Sequence, residues 1–531
     1  MKHTRTILQN LLKFAVMVIS VLIISNACSP TTSTSSNGEK PNILWIYVED
    51  INPFLSCYGV DINPTPNVDK LAENGVLFKK AFTPSPVCSP TRSGIITGMM
   101  PTTWGMHNHH TSRTVESAIF LPKGTKTIPE YFKDNGYYTF NNGKDDYNFI
   151  YNRKDLYDGD FGLQFWYTFE GFGHWRDKER GDKPFFGQIQ LEGGKMVLPQ
   201  PWRMAMYDSI VPPENRIDTS LLKVPPYYPD VPTIRFDWGE HYNSVRFTDS
   251  QVGHIMGQLK EDGLLENTII FFFSDHGYKG TRHKQFCYDG GIQVPLIVAY
   301  FGENETIKKG IERNDFVNLI DVGPTSMALA GIPVPEHMEG KDVFAPGFKR
   351  DYIVSVRDRC DFTIDRIRAI RTEKFKYIKN YYPERSYQQP TYRDTRPEFL
   401  LQKEMYEKGL LNDVQAKYWG PTKPVEELYD LENDPHEIKN LAEDPNFKAE
   451  LEKHRAILEN WIKETGDKGE IAEVDYLAGR EALRFIIDRW GQRCVSPEFD
   501  VVKSMPMPGA PSFDLKTGLS NVDNYGDKKK K

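Results

Sequence analysis

Apolar residues fall in short, nearly continuous runs along the first two thirds of the chain. The run Asn42-Ile43-Leu44-Trp45-Ile46-Tyr47-Val48 reads as a strand buried on both faces, and residues 268–273 and 295–300 have the same texture. Between these runs the spacing turns helical. It does so over residues 68–74 before Gly75, over 128–135 before Gly136, and from about 238 to 259. A further strand is expected over 137–140. Strands alternating with helices predict an α/β domain built on a parallel sheet. After about Asp351 the texture changes. Residues 368–372 and 375–378 alternate, which predicts a hairpin of a smaller antiparallel sheet, and helix signals follow to near Lys463. An aromatic-dense segment (161–175) and a Pro-rich one (211–232) read as insertions over one face of the main domain. No internal repeat is visible.

Composition narrows the class. A chain of 531 residues, 39% hydrophobic and 26% charged, suits a soluble globular protein of more than one domain. Its net charge of −7 argues against a nucleic-acid partner, so an anionic ligand would need a local cationic pocket. The chain opens with Lys2, His3 and Arg5, then an apolar stretch (11–24) too short for a stable membrane span. Residues 1–27 therefore read as a signal peptide. Ser25-Asn26-Ala27-Cys28 is similar to a bacterial lipobox, with Ser25 where Leu is usual; a lipid on Cys28 would anchor the protein to a membrane. Residues 28–40 would be the lipidated Cys and a flexible tether, and the expected address is the periplasm or the outer membrane and cell surface. Cys57, Cys287, Cys360 and Cys494 show no spacing that specifies a pairing, and either disulfides or buried thiols fit. The closing lysines, Lys528–Lys531, read as a solvated tail.

In open α/β sheets ligands sit beyond the carboxyl ends of the strands. Glu49/Asp50 follow the first strand and Asp275/His276 follow the strand at 268–273. These two pairs are candidate ligands for one hard divalent cation, Ca²⁺ or Mg²⁺. Between them lies Cys88-Ser89-Pro90-Thr91-Arg92-Ser93-Gly94-Ile95-Ile96-Thr97-Gly98. A cysteine at a helix start has a lowered pKa and faces the positive end of the helix dipole. Pro90 fits a first helical turn, and Arg92 stands about one turn from Cys88. On physics alone this is a nucleophile beside an anion site, against the plainer reading of an inert buried cysteine.

The stretch resembles the signature of the type I sulfatases, Cys-x-Pro-x-Arg followed by Thr-Gly. Asn42–Asp50 with Cys57-Tyr58-Gly59, Thr65–Ala72, Gly290–Val298 and Leu428–Leu441 are similar to other segments of that family, so the resemblance spans roughly 41–465. It implies an α/β fold of the alkaline-phosphatase type: a large mixed, mainly parallel sheet flanked by helices in residues 41–350, and a smaller C-terminal α+β subdomain on an antiparallel sheet in 351–500, with 501–531 as a tail. It implies that a maturase, formylglycine-generating or radical, oxidises Cys88 to formylglycine (3-oxoalanine), whose hydrate attacks sulfur and expels the alcohol. It further implies Ca²⁺ held by Glu49, Asp50, Asp275 and His276 together with residue 88, although the family usually has Asp at the Glu49 position. Lys144 and Lys284 would clamp the sulfate and the leaving oxygen, and Arg282 and His283 would extend the clamp.

Two positions depart from the family. Asp146 and Tyr147 stand where many members have a His after the Lys144 position, and Glu192-Gly193-Gly194 stands where many have another. The acid/base work is therefore expected to move to His283, His107 or Asp146. Phe165, Trp166, Tyr167, Phe169, Phe172 and Trp175 are candidates for stacking on sugar rings. Arg357, Arg359, Arg366 and Arg368 are candidates for a second cationic rim. A sulfated glycan, an ulvan-type polysaccharide among others, is the expected substrate. N-sulfoglucosamine hydrolysis, phosphoester hydrolysis and a catalytically dead glycan-binding lipoprotein are the alternatives.

Overall fold

Every residue of the first strand is buried, because helices cover both of its faces. In the computed structural model, which describes residues 40–109, 119–159, 173–195, 201–360, 364–389, 391, 393–394 and 396–470, this strand lies at the middle of a mixed sheet. The expected signal peptide, Cys28 and its tether, Cys494, the 501–531 tail and the aromatic positions 165–169 and 172 lie outside the described residues.

The sheet contains β1 (Asn42–Val48), β2 (Gly75–Phe82), β3 (Tyr138–Asn142), β4 (Phe185–Leu191), β5 (Thr268–Ser274), β6 (Gln293–Val294), β7 (Leu296–Tyr300) and β8 (Ile311–Asn318). Their order is β3-β4-β1-β5-β7-β2-β6, with β8 beside β2. β1 pairs in parallel with β4 and β5. The expected 295–300 strand is β7, and it runs antiparallel to β5, which makes the sheet mixed. The helices that matter for the site are α1 (Pro66–Glu73), α2 (Cys88–Thr97), α3 (Ile128–Asp134) and α4 (Pro232–Glu261), with α5 (Lys448–Thr465) further on. Gly75 was expected to close the first helix. Instead Asn74 ends α1, and Gly75 opens β2 opposite Ala299.

Strand alternation divides the core in two. Ile43, Trp45, Tyr47, Ile269, Phe271 and Phe273 pack on the face covered by α2 and α3, through Ile95, Ile96, Ile128 and Phe132. Leu44, Ile46, Val48, Ile270 and Phe272 pack against Val68 and Leu71 of α1 and Val245, Val252 and Ile255 of α4. The period of two along β1 and β5 thus serves two layers of helices.

A second, antiparallel sheet has the order β12-β11-β10-β9: β9 (Ile353–Arg357), β10 (Ile367–Arg371), β11 (Phe375–Asn380) and β12 (Glu426–Asp430). Leu451, Leu458 and Trp461 of α5 cover one of its faces. Its other face packs Ile367, Ala369, Ile378 and Tyr429 against Phe286, Cys287 and Tyr288. The small sheet therefore supports the loop 275–289 that leaves β5. Asp289 in that loop is paired by Lys376 of β11.

The Pro-rich insertion 211–232 packs Ile217, Leu222 and Tyr228 on Ile234, Trp238 and Tyr278. Two sequence expectations fail here. Trp175, a candidate sugar platform, is a core residue stacked on Phe185, with Nε1 donating to Asp262 (2.6 Å). Arg357, Arg359, Arg366 and Arg368 are buried and form no exposed rim. Arg368 is clamped by Asp467 and Asp358, Arg357 by Asp365, and Arg366 by Glu470, since a buried guanidinium requires a partner. Cys57, Cys287 and Cys360 carry free thiols, as does Cys88. Among the described residues no helix is long and apolar enough to cross a membrane.

Candidate active site

Strands β1, β4 and β5 end level, with Val48 in register with both Leu191 and Ser274. Their continuations, Glu49-Asp50, Glu192–Lys195 and Asp275-His276, therefore emerge at one edge of the sheet. Lys144 arrives beside them from the end of β3. This is the topological position at which open α/β sheets bind ligands.

Helix α2 delivers the thiol to the same edge. Val87 is extended, the helix starts at Cys88, and all ten residues of α2 are buried. The loop before it is tied down by Ser85 N, which donates to Thr91 Oγ1 (3.2 Å). Cys88 is 3% exposed, and its Sγ lies 3.2 Å from His276 Nε2. Lys284 Nζ donates to Sγ at 3.3 Å and Lys195 Nζ at 3.4 Å. Burial alone would raise the thiol's pKa. Lys144, Lys195, Lys284 and His276 outweigh it and bring the thiol down to about 7.

Asp50, Cys88, Asp275 and His276 each present one ligand atom, all within 4.8 Å of one another. Asp275 Oδ1 accepts the amides of Asp50 (3.0 Å) and His276 (2.9 Å), while its Oδ2 is buried with no hydrogen-bond partner, Arg92 Nε standing 3.7 Å away. An orphaned buried carboxylate oxygen is what a hard cation satisfies. His276 Nδ1 lies 3.0 Å from the Gly277 carbonyl, which can only accept, so Nδ1 carries a hydrogen and Nε2 is the nitrogen that a cation in the cluster would use. These residues fit a divalent cation. Lys284 Nζ also pairs with both oxygens of Asp50 (3.0 and 3.1 Å), whose carboxyl is held well below its ordinary range: burial opposes this, and Lys284 and His276 overcome it.

Glu49, expected among the metal ligands, is placed differently. Its carboxylate accepts from Arg92 Nη2 (2.9 Å), pairs with Lys144 Nζ (2.6 Å) and pairs with Lys195. One methylene longer than Asp, it bridges cations instead of turning into the four-residue group. Arg92 also donates to Gln190 Oε1 (2.7 Å) and stacks over Tyr47, its guanidinium carbon 4.1 Å from the ring centre. Lys144 is held between Glu49 and Asp146 (3.2 Å). Asp146, at the family's histidine position, stays ionised: burial works against this, and Lys144, His109 and Lys195 prevail.

Two expected clamp residues point away. His283 is buried; its Nδ1 donates to Gly290 O (2.8 Å) and its Nε2 meets Tyr227 Oη (3.0 Å). Burial, with Arg282 adding to it, pushes this imidazole down to about 3, so it is neutral and its nitrogens are occupied. Arg282 donates to the carbonyls of His436 (2.9 Å) and Glu437 and lies over Tyr288 and Tyr227. Consecutive residues diverge because the backbone turns through positive φ at Arg282 (66°) and Gln285 (77°), which sends only Lys284 toward Cys88. His107 is buried in the loop that follows α2, whose Met106 carbonyl accepts from Asn148 Nδ2 (2.9 Å).

Lys195 was not among the expected residues. The signal for it is Gly193-Gly194 after the end of β4. A Cβ on Gly194 would clash with the Asp50 carbonyl, and one on Gly193 with that of Glu49. The glycines let the turn lie against the Glu49–Asp50 backbone, with Gly194 N donating to Glu49 O (2.8 Å). Lys195 is thereby carried to the thiol.

Comparison with known proteins gives the family. The family profile named Sulfatase matches residues 41–332, and one named N-sulphoglucosamine sulphohydrolase, C-terminal matches 275–420. An ulvan-active sulfatase of Formosa agariphila is 32% identical over 479 residues, covering 83% of this chain and 77% of that protein. Human N-sulphoglucosamine sulphohydrolase is 25% identical over 487 residues, covering 80% and 90%. A solved 2-O glycosaminoglycan sulfatase has a TM-score of 0.56 at 20% identity, covering 82% of this chain and 95% of that one. A phosphonate monoester hydrolase of Agrobacterium radiobacter also has 0.56, at 17% identity, covering 80% and 96%. At these identities the two structures are alike in fold, and the fold by itself does not choose between sulfate and phosphonate chemistry.

Proposed function

Because this chain belongs to the sulfatase family, we propose that it hydrolyses sulfate esters of a sulfated carbohydrate at the site around Cys88. The observation that carries this reading is the placement of the signature: Cys88 stands at the amino end of a buried helix, touching His276, Lys195 and Lys284, where β1 and β5 end. In this family the Cys at that position becomes formylglycine, which supplies the attacking hydroxyl, and Sγ here stands in for that oxygen. A divalent cation, Ca²⁺ in this reading, would be held by Asp50, Asp275 and His276 and would supply Lewis acidity at the same point.

The chain's own residues do the rest. Lys284 and Lys144 give the sulfate its counter-charges from two sides. Arg92 lies one turn along α2 and fixes Gln190 and Glu49, and Glu49 in turn orients Lys144 and Lys195. Burial of Cys88 keeps bulk water from competing with the nucleophile. The names of the relatives support a glycan, and ulvan-type oligosaccharides are the first substrates to test. N-sulfated glucosamine comes next, since the C-terminal match bears that name.

The test is sulfate release by protein co-produced with a maturase. Peptide masses across Cys88 should show formylglycine, and Cys88→Ala should abolish turnover. A formylglycine-bearing protein that cleaves phosphonate or phosphate esters and leaves every sulfate ester intact would overturn the reading. The reading also includes export as a lipoprotein, supported by the apolar 11–24 stretch and Cys28. Labelled palmitate should enter the wild type and not Cys28→Ala.

A further inference from the structure

The proposed reaction needs a group that meets the leaving oxygen; Asp146 and Glu192-Gly193-Gly194 stand at the family's histidine positions, and His283 is turned away. We propose that Lys195 is a catalytic residue: its ammonium binds the bridging oxygen of the sulfate ester and meets the charge this oxygen gains as the sulfur–oxygen bond breaks. The inference rests on the sulfatase reading and assigns one residue within it.

Two lysines donate to Cys88 Sγ, and their surroundings differ. Lys284 is 3% exposed and lies on the cation-binding side, paired with Asp50. Lys195 is 26% exposed and paired with Glu49, so of the two it is the one that solvent reaches, and its side is the mouth of the site. A sugar too large to be buried must leave through the mouth, so the bridging oxygen faces Lys195 and the sulfate's other oxygens face Lys284. Lys144, 15% exposed, is taken by Glu49 and Asp146. Asp146 is held as a carboxylate and His283 has both nitrogens engaged, so neither can donate to this oxygen. In the step itself a hydroxyl oxygen of the formylglycine hydrate bonds to sulfur as the bond from sulfur to the bridging oxygen breaks, and the electron pair of that bond goes to the sugar oxygen. That oxygen accepts a hydrogen bond from Lys195 and takes up the proton that the attacking hydroxyl releases, which completes the sugar hydroxyl. Glu49 and the Gly193-Gly194 turn are the positioning elements, since they set where Nζ stands.

The experiment compares formylglycine-bearing wild type, Lys195→Met and Lys195→Arg on two substrates, a sugar sulfate that the wild type cleaves and 4-nitrophenyl sulfate. Nitrophenolate leaves without help. Lys195→Met should therefore lose roughly 10²–10³-fold in kcat on the sugar sulfate and under about 10-fold on the aryl sulfate. Lys195→Arg should fall between. Equal losses on both substrates, or no loss, would overturn the assignment, because a lysine that only neutralises Glu49 treats them alike. A second readout needs no turnover. Inorganic sulfate titrated calorimetrically into the Cys88→Ala protein should bind about 10-fold more tightly than into Cys88→Ala/Lys195→Met, and equal affinities would count against the proposal. Should formylglycine-bearing wild type release no sulfate, the sulfatase reading fails, and the binding arm still decides whether Lys195 faces the anion.

Discussion

At the scale of residues, the site is organised by a few side chains with several partners each. Glu49 collects Arg92, Lys144 and Lys195 on one carboxylate, and Asp275 uses one oxygen for two backbone amides and leaves the other for a cation. Gly194 is an exacting position, because the Asp50 carbonyl occupies the space a Cβ would need. Gly194→Ala should push the 192–195 turn outward, costing about 1–3 kcal/mol of stability in urea unfolding. It should also lower sulfate release at least ~10-fold by withdrawing Lys195. Unchanged kinetics in that variant would show that the turn does not position the lysine. Cys88 and Arg92 were legible in the sequence because their spacing is intrahelical. Lys195 was not, since its reach depends on a backbone-to-backbone contact that no periodicity encodes.

At the scale of elements, the small antiparallel sheet earns its place by holding the loop that carries Lys284. Phe286, Cys287 and Tyr288 pack on it, and Lys376 pairs with Asp289. The sheet is in turn closed by the end of α5. Asp467 there accepts from Arg368 Nε (2.6 Å) and Nη2 (2.9 Å) of β10. Burial would raise the Asp467 pKa, but the Arg368 guanidinium holds it down at about 2 against an ordinary 3.8. A depressed carboxylate contributes stability that is fully present above its unfolded pKa and is lost as pH falls through the folded one. Here that window runs from about pH 4 to 2, and the contribution is about 2 kcal/mol. Asp467→Asn should therefore be destabilised by about that much at pH 7, and its stability should fall less steeply between pH 4 and 2 than the wild type's. Urea melts at the two ends of the window check both. The hairpin of β10 and β11 was readable from alternation. The burial of Arg368 was not, because Asp358 and Asp467 reach it from other segments.

At the scale of the whole molecule, the edge at which β1, β4 and β5 end gathers residues from Asp50 to Lys284 around one point. A ligand bound there by the folded state alone stabilises the entire unit. Ca²⁺ at a hundredfold excess over its Kd should add about 2.7 kcal/mol, visible as a raised Tm that a chelator reverses. Asp275→Asn should abolish the calcium-dependent part and leave the calcium-free Tm close to the wild type's. A Tm indifferent to Ca²⁺ in the wild type would remove the cation from the site. The α/β alternation, the helix-start cysteine and the two acidic pairs at strand ends are legible in the chain alone, because each depends on neighbours a few residues away. Long-range packing makes Glu49 a bridge between cations, turns Arg282 and His283 away from Cys88 while Lys284 faces it, and brings Lys195 to the thiol. Those outcomes depend on positive-φ turns, on close backbone approach and on which charge is already partnered in the buried interior, and these are set by segments distant in the chain.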